Sequence, residues 1–250
     1  MLEIESFGFK ISNKCIDKSL INACIAILPT ILSDKKYIQS GLTFYKLYKS
    51  KPDRFHNIIP YSIPKDDLFI VSNPCEDYAD MKNILTSKVL WGFAAECFAC
   101  SSENIVLSFM NITRKPKQYS PTIRWHRDFK NKMTSTKSSK DMLRIIIPLE
   151  DTDTQNGTIE IVPDSHKIKD TAITDEYTID SAFCERNCKS ICLKAGEMFA
   201  FHSKLIHGSK INTGNTDRNY LIFQFVIRGS EHSYENTTEP FYGLGYREIV

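Results

Sequence analysis

A chain of 250 residues that is 42% hydrophobic, 11% aromatic and 25% charged has the composition of a globular protein. Such a chain can bury roughly 70% of its unfolded surface, which excludes disordered, collagenous and coiled-coil chains. Lys and Arg number 32 against 30 Asp and Glu, a net charge of +2, too balanced for the electrostatic footprint of a nucleic-acid-binding or membrane-surface protein. No nucleic acid and no membrane is expected as partner, and a small molecule is.

The length suits one domain over residues 1–250, with residues 1–103 as a mainly helical and irregular flanking part and 104–230 as an all-β core. From Ile16, apolar residues recur at helical spacing through Leu20, Ile21, Cys24, Leu28 and Ile31, with Pro29 expected to end or kink the helix. Residues 33–80 mix Lys, Asp, Pro and Tyr with short apolar runs such as Leu68 to Val71, and read as irregular. A second helical stripe runs from Leu85 through Val89, Leu90, Phe93, Ala94 and Cys97 to Phe98.

Beyond residue 103 the period changes. Asn104–Met110, Met142–Leu149, Thr158–Val162, Glu197–Phe201 and Tyr220–Ile227 are short runs rich in Ile, Val, Phe and Tyr, bounded by turn residues. Without long helices between them they predict an antiparallel sandwich or barrel, with the N-terminal helices packed on one sheet. The polar stretch Phe129 to Lys140 reads as a mobile loop that trypsin would cut first. No stretch reaches the ~18 apolar residues of a membrane helix, and MLEIESFGFK lacks the basic-then-apolar order of a signal peptide. A cytoplasmic location with reduced cysteines is therefore expected.

The chemistry concentrates in three places. In IRWHRDF, His126 and Asp128 are two apart, so on an extended strand both leave one face, with Arg124, while Trp125 and Arg127 leave the other. Alone, a His-x-Asp pair is more often a surface histidine beside an acid. A third candidate, His207, follows a predicted strand, and Arg218 stands eleven positions later at the start of the next. Two His and one carboxylate make the facial triad of non-haem Fe(II) oxygenases, which leaves positions open for co-substrate and dioxygen.

These residues resemble the Fe(II)/2-oxoglutarate-dependent oxygenases of the phytanoyl-CoA dioxygenase type, which include ectoine hydroxylase. Three blocks carry the likeness in order: WHRDF at 125–129, NGTIEIVPDSHK at 156–167 and HGSKINTGNTDR at 207–218. The departures are Arg127, where Gln is frequent, and Asp164, where Gly is usual. The resemblance implies a double-stranded β-helix, a cupin-like jelly roll, mainly β with flanking helices. It implies that His126, Asp128 and His207 bind Fe(II), that Arg218 holds the distal carboxylate of 2-oxoglutarate, and that Ser209 adds a hydrogen bond to it. The expected activity is hydroxylation of a small or medium-sized organic substrate with dioxygen, releasing succinate and CO2. Leu107, Met110 or Asn111 would supply further co-substrate contacts.

Arg124 and Arg144 are candidate ligands for an anionic substrate, each with a structural ion pair to a wall carboxylate as the alternative. Cys184, Cys188 and Cys192 recur every four residues, and Cys97 with Cys100 makes a Cys-x-x-Cys, but buried thiols explain them better than zinc. His166 and His202 read as packing histidines. A halogenase relative would lack the carboxylate ligand, which Asp128 supplies. A catalytically retired jelly-roll module that only binds metal or ligand would usually have lost a triad residue or the arginine.

Overall fold

The computed structural model describes residues 3–37, 70–117, 122–129, 136, 138–169 and 179–230. Most of the 33–80 region and of the Phe129–Lys140 loop lies outside them. Among the described residues ten strands form two sheets: β1 (Phe9–Cys15), β2 (Ile70–Ser72), β3 (Ile105–Lys115), β4 (Ile123–His126), β5 (Met142–Pro148), β6 (Ile159–Ile161), β7 (Lys189–Ile191), β8 (Glu197–His202), β9 (His207–Ser209) and β10 (Arg218–Ile227). The larger sheet has the order β1-β8-β5-β10-β3-β2 and the smaller β4-β9-β6-β7, with every pairing between these strands antiparallel. From β3 to β10 the chain passes repeatedly between the two sheets, which is the double-stranded β-helix expected from the sequence. β1 and β2 extend the larger sheet at its edges.

The helices among the described residues are α1 (Glu3–Phe7), α2 (Lys18–Ser33), α3 (Ala79–Leu85), α4 (Lys88–Phe98) and α5 (Ser181–Asn187). Alternation along the large sheet sends Leu107, Met110, Leu143, Ile145, Phe223 and Phe225 to its outer face, where they pack with buried residues of α2, α3 and α4. Burying one such side chain contributes about 1.5–3 kcal/mol, so the sheet, more than intrinsic propensity, fixes these helices. The Trp91 ring meets Phe225 edge-on at 5.1 Å. The inner face carries Ile146, Phe199, Phe201 and Tyr220 against Ile159 and Ile161 of the small sheet.

Two sequence expectations need correction. Helix α2 does not stop at Pro29 but continues to Ser33, because Leu28 and Ile31 flank the proline and are both buried in the core. The stripe beginning at Leu85 is two helices: α3 ends at Leu85, whose carbonyl accepts a hydrogen bond from Trp91 Nε1 at 2.7 Å, and α4 begins at Lys88. The three regularly spaced cysteines do not share a helix face, since α5 ends at Asn187; Cys184 is buried and Cys192 exposed. Among the described residues no helix is long and apolar enough to cross a membrane.

Candidate functional site

Pairing of β4 with β9 places His126 directly opposite His207, with ring centroids 4.2 Å apart. That approach depends on Gly208, where an added Cβ would lie 2.8 Å from the Ile123 carbonyl oxygen of β4. Gly208→Ala should therefore force the strands apart and weaken metal binding about tenfold or more. A Co(II) titration checks this, and unchanged affinity would show that close pairing is not required.

β4 ends at His126, so Asp128 reaches the site from a bend and not from the strand the spacing suggested. Its backbone N–H donates to Ser203 O at 3.0 Å, docking the bend on the turn after β8. Oδ1 lies 3.9 Å from His126 Nε2 and Oδ2 lies 3.8 Å from His207 Nε2. One ligand atom from each of His126, Asp128 and His207 falls within 4.8 Å of the others, and among the described residues this is the only such group of His, Cys, Asp or Glu. The cysteines form no comparable cluster there.

Both rings are aimed by the backbone. His126 Nδ1 is 2.8 Å from Arg124 O and His207 Nδ1 is 2.9 Å from Leu205 O. A carbonyl can only accept, so Nδ1 carries the proton and Nε2 presents its lone pair to the centre. Burial, reinforced by His126, pushes the His207 pKa down to about 3, which keeps the ring in the neutral form that a metal needs.

On β9, Ser209 shares the face of His207. Its Oγ is buried with no hydrogen-bond partner among the described residues, and the same holds for Nε and Nη2 of Arg218. Arg218 is 2% exposed and its guanidinium carbon sits 3.9 Å from the Tyr220 ring centroid. Burial lowers its pKa from the ordinary value, opposed by Tyr220 and Glu150, yet a guanidinium in a protein keeps its charge. A buried cation with two idle donors beside an idle hydroxyl is costly unless an anion completes it. These orphaned atoms fit a carboxylate.

No motif signals a second buried basic side chain, Lys115. Lys115 pairs with Arg218 across β3 and β10, so both project to one face. Its Nζ donates to Ser209 O at 3.3 Å and to Lys210 O, and burial together with Arg218 pushes its pKa down to about 6. Of the residues expected to touch co-substrate, Leu107 and Met110 face the outer core instead, because strand alternation turns them away; Asn111 pairs with Ile222.

Arg124 is exposed on β4. Trp125 and Arg127 are engaged away from the centre: Trp125 packs on Val162, Cys184 and Ile206, and Arg127 Nη2 donates to Ser165 O at 2.7 Å. Arg144 reaches the centre, with Nη1 on Asp128 Oδ1 at 3.0 Å. His166 and His202 pair with each other, centroids 5.4 Å apart, in their packing role. Asp164, where glycine is usual, adopts a left-handed φ of 62°.

No curated protein matches the sequence. Solved structures do resemble the fold. AviO1 from Streptomyces viridochromogenes Tue57 is 18% identical at a TM-score of 0.62, covering 91% of this chain and 93% of its own. The non-heme alpha ketoglutarate dependent carbocyclase SnoK from nogalamycin biosynthesis is 15% identical at 0.67, covering 90% and 81%. EctD from S. alaskensis, solved with 2-oxoglutarate and 5-hydroxyectoine, is 13% identical at 0.67, covering 91% and 74%. A family model, phytanoyl-CoA dioxygenase (PhyH), matches residues 78–220, from just before α3 into β10, and with more than half of its length so matched the chain belongs to the phytanoyl-CoA dioxygenase family.

Proposed function

We propose that the protein is an Fe(II)- and 2-oxoglutarate-dependent dioxygenase that hydroxylates a small or medium-sized organic substrate. The observation that carries this reading is the coincidence, in one chamber, of two histidines with Nε2 turned inward, a buried carboxylate, and a buried arginine with idle donors. His126, Asp128 and His207 would hold the iron and leave positions open for co-substrate and dioxygen. Arg218, with Ser209 and Lys115, would hold the far carboxylate of 2-oxoglutarate, the guanidinium offering two parallel donors. When bound, the pair supplies oxidising chemistry that consumes dioxygen, converts 2-oxoglutarate to succinate and CO2, and inserts one oxygen atom into a C–H bond. The chain's own residues orient the groups and keep water out between the sheets. A retired binding module would have no need to keep Arg218 and Ser209 idle beside an intact triad.

Lys115 gives the binding step a pH dependence. In the free protein its pKa is near 6, and a carboxylate placed beside it raises that value, so binding above pH 6 takes up a proton. Affinity for 2-oxoglutarate should therefore strengthen as pH falls from about 9 toward 6, by at most about tenfold per pH unit. Calorimetric titration checks it. A flat profile, or the same profile in Lys115→Met, would remove Lys115 from the co-substrate site.

The substrate's own charge is read from Arg124, exposed two residues before His126 where the β4–β9 register shifts. A carboxylate or phosphate on the substrate would be held there. The aerobic assay that tests the oxygenase reading, succinate formed from 2-oxoglutarate by iron-loaded protein, tests this as well. Organic acids should accelerate succinate release more than their amides or esters do, and Arg124→Gln should erase the difference. Equal stimulation by the neutral forms would return Arg124 to a structural role.

A further inference from the structure

The interior of the large sheet carries a polar relay that ends on the candidate iron ligand. Arg144 of β5 stands opposite Gln224 of β10 in the strand register. Its Nε donates to Gln224 Oε1 at 3.2 Å and its Nη1 to Asp128 Oδ1 at 3.0 Å, while Gln224 Nε2 donates to Ser108 Oγ at 3.2 Å. Gln224 and Asp128 are 0% and 1% exposed. Ser108 sits where the β3–β10 register shifts, so the bulge in the sheet lies at the foot of the relay.

The guanidinium is planar, with donors in fixed directions. Holding Nε on one strand and Nη1 on Asp128 therefore sets the direction of the carboxylate. Asp128 needs this more than the histidines do. His126 and His207 lie in paired strands, with each ring tied to a carbonyl. Asp128 lies in a bend, where the hydrogen bond from its own N–H fixes the backbone and not the carboxylate.

We propose that Arg144 is a positioning residue that holds the Asp128 carboxylate in register for the metal. On this account its guanidinium serves the ligand and not the substrate. The inference rests on the iron and 2-oxoglutarate reading above. Charge alone argues the other way: a cation beside the site repels a metal ion, so removing it should tighten metal binding. The sign of the change separates the two effects.

The test uses the full chain and Co(II) as probe metal, titrated by calorimetry without oxygen. Arg144→Met should weaken Co(II) roughly 10- to 100-fold, the usual cost of losing a group that orients a ligand. Arg144→Lys, which keeps the charge and one donor, should recover part of the loss. At saturating Co(II), affinity for 2-oxoglutarate should stay within about twofold, because Arg218, Ser209 and Lys115 are untouched. If Arg144→Met does not fold, Gln224→Leu decides: loss of the Gln224 anchor should weaken Co(II) about threefold or more. Unchanged or tighter Co(II) binding in the folded variants would overturn the proposal, as would a parallel loss of 2-oxoglutarate affinity. Wild-type protein that binds no Co(II) would instead defeat the reading beneath it.

Discussion

Replacing His207 with alanine is expected to abolish succinate formation from 2-oxoglutarate, by about 100-fold or more, with iron retention falling in step. The side chain is 5% exposed and its Nδ1 is already committed to Leu205 O, so Nε2 has no structural work in the surrounding strands. Loss of the ring would remove one of the three proposed ligands and leave an opening beside Phe201, whose ring centroid lies 4.7 Å away. Because that opening also costs packing energy, His207→Gln provides the companion variant: it nearly fills the volume, ligates poorly, and should be as inactive while unfolding close to the wild-type temperature. Succinate release at the wild-type rate and equal iron content in both variants would mean that His207 is not a ligand.

The second large effect belongs to Arg218. Removing one partner of a buried ion pair typically costs about 3–5 kcal/mol, or roughly two to four decades of affinity, and Arg218→Ala should lose 2-oxoglutarate by that amount while retaining Co(II). Arg218→Lys should lie between, since a point charge replaces a two-pronged donor and surrenders the stacking on Tyr220, now at 3.9 Å. Equal co-substrate affinity in wild type and Arg218→Ala would remove the anchor. Lys115 on the neighbouring strand is the reason to measure both variants at more than one pH, since its proton can partly compensate when the guanidinium is gone.

Much of this site was legible before any fold was known. The two-residue spacing of His126 and Asp128, the distal His207 and the Arg218 that opens the next strand are local patterns, and the three blocks around them carried the family resemblance. What stayed hidden depends on pairing between segments far apart in the chain. Lys115 lies beyond the Asn104–Met110 run legible as a strand, and only the β3–β10 register sets it opposite Arg218. Arg144 stays open between a substrate ligand and a structural ion pair until Asp128 is seen at its Nη1. β1 was missed because FKISNKC is too polar to announce a strand; it sits at the sheet edge, largely exposed, and owes its conformation to β8. The break between α3 and α4 escaped because the apolar stripe continues across Thr86 and Ser87, and periodicity records a face and not a helix end.

The central claim is that one chamber holds iron on His126, Asp128 and His207 while Arg218 seats the co-substrate. Its most direct test is spectroscopic and anaerobic: 2-oxoglutarate is added to the protein loaded with Fe(II), and the visible spectrum is followed. A weak charge-transfer band should appear and saturate in wild type, fail to appear in His207→Ala, and require far higher 2-oxoglutarate in Arg218→Ala. Absence of the band in iron-loaded wild type, or a band indifferent to both substitutions, would contradict the account.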